Sequence, residues 1–118
     1  MADNSEVDAG SSTASGAIDR FRDWTAIADF QPIVSETPLR VAGEYFLNRR
    51  WGSVSLAVKV PQGFNPSILL LDLVEGPGNG GDWVAVEGRF AAARGQYGSV
   101  TVIDPDGESV SIPVEEVE

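Results

Sequence analysis

From Pro38 onward, apolar residues recur at every second position. Leu39, Val41, Gly43, Tyr45 and Leu47 alternate with Arg40, Ala42, Glu44 and Phe46. Val54, Leu56, Val58 and Val60 alternate with Ser53, Ser55, Ala57 and Lys59. A period of two sends successive side chains to opposite faces, so both runs predict strands with one buried face. Residues 67–75, Ser-Ile-Leu-Leu-Leu-Asp-Leu-Val-Glu, are apolar almost throughout and suit a strand covered on both faces. Val84, Val86, Gly88 and Phe90 alternate with Trp83, Ala85, Glu87 and Arg89. Ser99–Ile103 is a further strand, and Glu108–Val114 returns with Val110, Ile112 and Val114 on one side. Asp104-Pro105-Asp106-Gly107 joins these two as a hairpin turn. Pro113 cannot donate to a ladder and suggests an edge position.

The pattern before Pro38 differs. Ala17, Phe21, Trp24 and Ala28 fall on one helical face, with Ile27 beside it, and Pro32 ends the run. That spacing predicts a helix over residues 17–30. Residues 1–16 are Ser, Ala, Gly and acidic residues with little to bury, which predicts a disordered acidic, polar tail. The chain therefore reads as that tail followed by one β-rich domain over residues 17–118. The expected fold is mainly β: a small antiparallel barrel or sandwich of about six strands with one N-terminal helix.

Composition narrows the chemistry. The 118 residues include no His and no Cys, which removes disulfides, thiolate sites and Ser-His-Asp catalysis. The expectation is a protein that is not an enzyme, with no cofactor and no metal. No apolar run is long enough to span a membrane, and the acidic start lacks the basic and apolar segments of a secretory signal. A cytoplasmic location follows, with a virion component as the other option. The net charge of −10 disfavours generic contact with phosphate backbones and suits a high-salt cytoplasm, a nucleic-acid mimic or a basic protein partner.

Motif fragments resolve toward turns. Gly76–Gly81 lacks the Lys and the following helix of a phosphate loop and reads as a flexible hairpin loop. Asp104, Asp106 and Glu108 are too few and too close for a calcium loop and read as turn residues. Asp72, between Leu71 and Leu73, is the most interesting single carboxylate, and Glu44 with Asp72 or Glu87 could pair for acid–base work. A different signal is basic and aromatic. No acidic residue occurs from Tyr45 through Leu71 or from Gly88 through Ile103, and Arg49, Arg50, Lys59, Arg89 and Arg94 lie within those stretches. Trp51 adjoins the first Arg pair, and Gln96 and Tyr97 follow Arg94. Arg beside aromatic rings serves both base stacking and protein hot spots.

Leu39-Arg40-Val41-Ala42-Gly43-Glu44, the runs 54–60 and 68–74, and Gly81-Asp82-Trp83-Val84-Ala85-Val86-Glu87-Gly88 followed by Arg94-Gly95-Gln96-Tyr97-Gly98 and the 99–103 strand resemble an OB-fold. The resemblance covers residues 39–103. It implies that Asn48, Arg49, Arg50 and Trp51 on one loop, and Arg94, Gln96 and Tyr97 on another, flank a shared ligand face. The acidic charge, Gly76–Gly81 in place of a helix and the extra hairpin to Val114 depart from that family. The candidate binding residues are thus Arg49, Arg50, Trp51, Arg89, Arg94, Gln96 and Tyr97. The expected function is a binding or assembly module, an accessory or structural subunit acting through protein–protein contacts or self-association. Single-stranded nucleic acid is the alternative partner, and a carboxylate-based enzyme is the third reading.

Overall fold

A computed structural model describes residues 20–31, 36–49, 52–79 and 81–117, with backbone only at 48 and 49. Seven strands form: β1 Phe21–Asp29, β2 Leu39–Arg49, β3 Ser53–Val58, β4 Ile68–Gly76, β5 Gly81–Phe90, β6 Ser99–Ile103 and β7 Ser109–Val117. All six strands expected after Pro38 are present. The expected tail at 1–16 and residues 17–19 lie outside the described residues.

The strands pair in the order β3-β4-β6-β7-β1-β2-β5. β5 then lies against β3 without a ladder, which nearly closes a barrel. Gly88 permits that approach, since a Cβ there would sit 2.8 Å from the Phe90 ring and 3.3 Å from Leu56 Cβ. The barrel is compatible with small OB-like architectures, but it has seven strands where an OB-fold has five.

Alternation supplies the core. Leu39, Val41, Tyr45 and Leu47 of β2, Leu69, Leu71 and Leu73 of β4, and Val100 and Val102 of β6 are buried inside. A fully buried Leu such as Leu71 contributes about 1.5–3 kcal/mol relative to exposure. β4 is not covered on both faces as its apolar run suggests: Ile68, Leu70 and Asp72 are half-buried and Val74 is exposed.

The helix expected over 17–30 is not formed by its described part, because Phe21–Asp29 is a strand. The reason is a β-bulge. Arg22 pairs with Glu44 and Thr25 with Ala42, so Asp23 and Trp24 together oppose Gly43. Asp23 takes φ 58°, a left-handed conformation that Asp tolerates better than most residues. The extra residue shifts the alternation by one, so Phe21 and Trp24 pack on the core three residues apart, followed by Ala26 and Ala28. Positions 21, 24 and 28 then imitate helical spacing.

β7 is an interior strand, which corrects the edge reading of Pro113. Its first half pairs antiparallel with β6 through Pro113↔Ser99, and its second half pairs parallel with β1 from Val114↔Ala26. Pro113 sits at the handover, where one ladder ends and the next begins, and there its missing N–H is tolerated. Likewise, β4 and β5 do not form the hairpin expected around Gly76–Gly81: β4 pairs with β3 and β6, and β5 with β2.

Candidate binding surface at one end of the barrel

β2 and β5 are antiparallel and pair from Leu39↔Phe90 to Arg49↔Gly81. At about 3.4 Å per residue, the two ends of this ladder are roughly 30 Å apart. Arg49 lies at one end, and the loop after Phe90, with Arg94, Gln96 and Tyr97, lies at the other. The shared face implied by the OB resemblance therefore does not assemble around Arg49 and Arg94. Arg50 and Trp51 lie outside the described residues. Arg89 is exposed on the outer face of β5, across from Arg40, whose guanidinium pairs with Glu87 and holds that carboxyl below the usual range.

The acid-free stretches meet elsewhere. The β3–β4 hairpin loop, residues 59–67, packs beside the 91–98 loop, where Gly98 and Ser99 N–H both donate to the Ser67 carbonyl at 2.8 and 3.3 Å. Both loops are pinned by side chains acting as backbone surrogates. Gln62 Nε2 donates to the carbonyls of Lys59 and Leu70 at 2.7 and 2.9 Å, and its Oε1 accepts from Leu70 N–H at 2.9 Å. Asn65 Oδ1 accepts from the Ser67 N–H and hydroxyl, forming an Asx turn. Gln96 Oε1 accepts from Ala93 N–H at 2.8 Å. Arg94 donates to the Phe30 carbonyl at 3.0 Å and stands 5.1 Å from the Phe30 ring.

Between these loops lies a depression of about 250 Å³, lined by Gln62, Asn65, Pro66, Ile68, Gln96 and Tyr97 among others. It is smaller than the ~300–1,000 Å³ typical of small-molecule sites. Tyr97 is half-buried against the core edge. Phe64, on the rim, is fully exposed, and Val60 is 87% exposed. The nearest carboxylates named at this end are engaged: Glu116 accepts from Gly95 N–H at 2.6 Å, and Asp72 pairs with Lys59 at 3.7 Å. Sequence reasoning missed Phe64, although it lies inside the first acid-free stretch between Pro61 and Pro66.

A second Arg–aromatic group was also missed. On the outer face of β1, β2 and β5, the Arg22 guanidinium lies 3.8 Å over the Trp83 ring, and Phe46 meets that ring edge-on at 5.3 Å. Period two already placed Phe46 and Trp83 on the polar side of their strands. Arg22 is paired with Glu44 at 2.6 Å, so this group is internally balanced. The carboxylates considered for acid–base work are dispersed, with Glu44 on Arg22, Glu87 on Arg40 and Asp72 on Lys59.

At the opposite end, the Asp104 turn is built around a buried carboxylate. Asp104 Oδ1 accepts from the N–H groups of Asp106 and Glu108, both at 2.9 Å, and Oδ2 accepts from the Tyr45 hydroxyl at 2.9 Å. Arg20 closes the group, 2.7 Å from Asp106. Its guanidinium is held protonated beyond its ordinary range by hydrogen bonds to Tyr45 and Asp106. Among the described residues, no helix is long and apolar enough to cross a membrane. No family model, curated protein or solved structure matches this chain.

Proposed function

We propose that the protein is a non-enzymatic binding module, an accessory or structural subunit of the cytoplasm, and that it engages a protein partner through the barrel end carrying Phe64, Arg94, Gln96 and Tyr97. The observation that carries this reading is Phe64: a fully exposed ring on a loop pinned by Gln62 and Asn65. Burying such a ring on association contributes about 1.5–3 kcal/mol. A loop already ordered in the free protein avoids much of the entropic cost of binding. The surrounding sequence is free of carboxylates within a chain of charge −10, so this is where an approaching surface meets least repulsion. The distance along the β2–β5 ladder between Arg49 and the Arg94 loop favours a protein partner over a single-stranded nucleic acid, which tracks a continuous basic groove.

The test is site-specific photocrosslinking in the native host, with p-benzoylphenylalanine at position 64 and, as control, at position 106 in the distant hairpin turn. Protein adducts from position 64, absent from position 106, are expected. Adducts that disappear with nuclease, or equal labelling from both positions, would overturn the reading. A fluorescent oligothymidylate at low salt is expected not to bind. Tight binding that weakens steeply with salt would favour the nucleic-acid alternative.

A further inference from the structure

We infer that the partner at this end is a second copy of the chain, with Phe64 of each copy seated in the depression of the other. The inference rests on the protein-binding reading above and names its partner. Knob and hole lie side by side on one surface: Phe64 protrudes from the 59–67 loop, while its neighbours Gln62, Asn65 and Pro66 line the hole with Gln96 and Tyr97. A surface carrying both halves of a contact is self-complementary under a two-fold axis, the requirement of an isologous dimer. The depression, about 250 Å³ and open to solvent, has room for one side-chain ring. The lining suits an aromatic ring, with apolar surface from Pro66, Ile68 and Tyr97 and amide edges from Gln62 and Gln96.

Charge selects the same orientation. Two chains of −10 repel, and the end that joins residues 59–71 to residues 88–98 contributes no carboxylate from either stretch. Glu116 and Asp72 flank it, engaged by Gly95 N–H and Lys59, and exposed Asp29 and Glu115 stand at the adjoining ends of β1 and β7. Two buried Phe side chains remove about 300–500 Å² from water. Stable interfaces bury about 1,200–2,000 Å² in total. The contact is therefore a weak, concentration-dependent dimer that strengthens as salt screens the net charge.

Sedimentation velocity of the full chain from about 1 to 500 µM tests this, a range that brackets weak self-association. Wild type is expected to shift from monomer toward dimer across the range, and further at high salt. Phe64→Asp is expected to weaken the dimer by at least about 100-fold, since two rings are lost per contact. Its unfolding midpoint should be unchanged, because Phe64 touches nothing inside. Geometry is read separately in the cysteine-free background with both rings kept: under oxidant, Gly63→Cys mixed with Pro66→Cys should form the mixed disulfide far faster than Gly63→Cys mixed with Ser111→Cys on the outer face of β7. Equal cross-linking rates, or a dimer that Phe64→Asp leaves intact, would overturn the inference. A monomer throughout that still yields position-64 adducts with another protein removes the second copy and leaves the binding reading standing. A monomer with no adducts removes both.

Discussion

Tyr45 illustrates how one buried polar side chain ties distant parts of the barrel. It is 1% exposed and donates to Asp104, 59 positions away in sequence. Its hydroxyl pKa is raised above the ordinary value of 10.0, first by burial and also by the Asp104 carboxylate, against an opposing hydrogen bond from Arg20. The sign follows from linkage. The unfolded chain releases this proton near pH 10, and the folded chain holds it to higher pH. The contribution is therefore complete below pH 10 and is lost as pH rises through the raised folded value. Urea unfolding of wild type and Tyr45→Phe measures it. At pH 8 the variant should be less stable by about 2 kcal/mol, because it leaves Asp104 Oδ2 short of a donor. That gap should narrow above pH 10. A gap constant from pH 8 to 11 would show that the hydroxyl proton is not linked to folding. Phe64 stands at the other extreme, an apolar residue with no intramolecular reason to be where it is.

At the scale of the element, β1 carries the clearest lesson. Its bulge places Trp24 against Gly43, where a Cβ would lie 2.2 Å from the indole, and the ring is held by its Nε1–H bond to the Glu44 carbonyl at 3.0 Å. Gly43→Ala must displace that ring. It is expected to destabilise the fold by about 1–3 kcal/mol in urea unfolding. Combined with Trp24→Leu, the losses should fall short of additive, since the smaller side chain removes the clash. Fully additive losses would mean the two residues do not meet. The bulge also explains the misread helix: a single inserted residue converts a period of two into spacings of three and four. The later strands were legible because the 53–58 and 99–103 segments pair without a register shift, and the irregularity of β2 against β5 falls between Phe46 and Arg49, after most of the alternation has been read. In β7, Pro113 was read as marking an edge because it cannot donate to a ladder, but a strand that changes neighbours midway satisfies the same restriction without being an edge.

For the whole molecule, net charge competes with local pairing. The exposed pairs Arg22–Glu44, Arg40–Glu87 and Lys59–Asp72 are screened by solvent and weaken further with salt. The unbalanced charge of −10 acts over the entire barrel and is screened as the Debye length falls from about 30 Å at 0.01 M to about 3 Å at 1 M. The repulsive term involves more charges, so the thermal midpoint of monomeric Phe64→Asp should rise with sodium chloride. A falling midpoint would mean that the surface pairs dominate. Of the candidate site, the acid-free stretches were visible in the sequence, and Gln96 and Tyr97 lie within one of them. The sequence set Arg49 beside the Arg94 loop, whereas the 59–67 loop lies there, because the partner of a loop is set by ladders between residues far apart in the chain. By itself the sequence determined which side chains face inward along β2, β5 and β7 and where the Asp104 turn falls, since the pleat and turn chemistry are local. Only the tertiary structure decided that β1 is a strand, that β7 bridges two sheets and that the 59–67 loop lies beside the loop carrying Tyr97, because strand order and loop proximity follow from non-local backbone pairing.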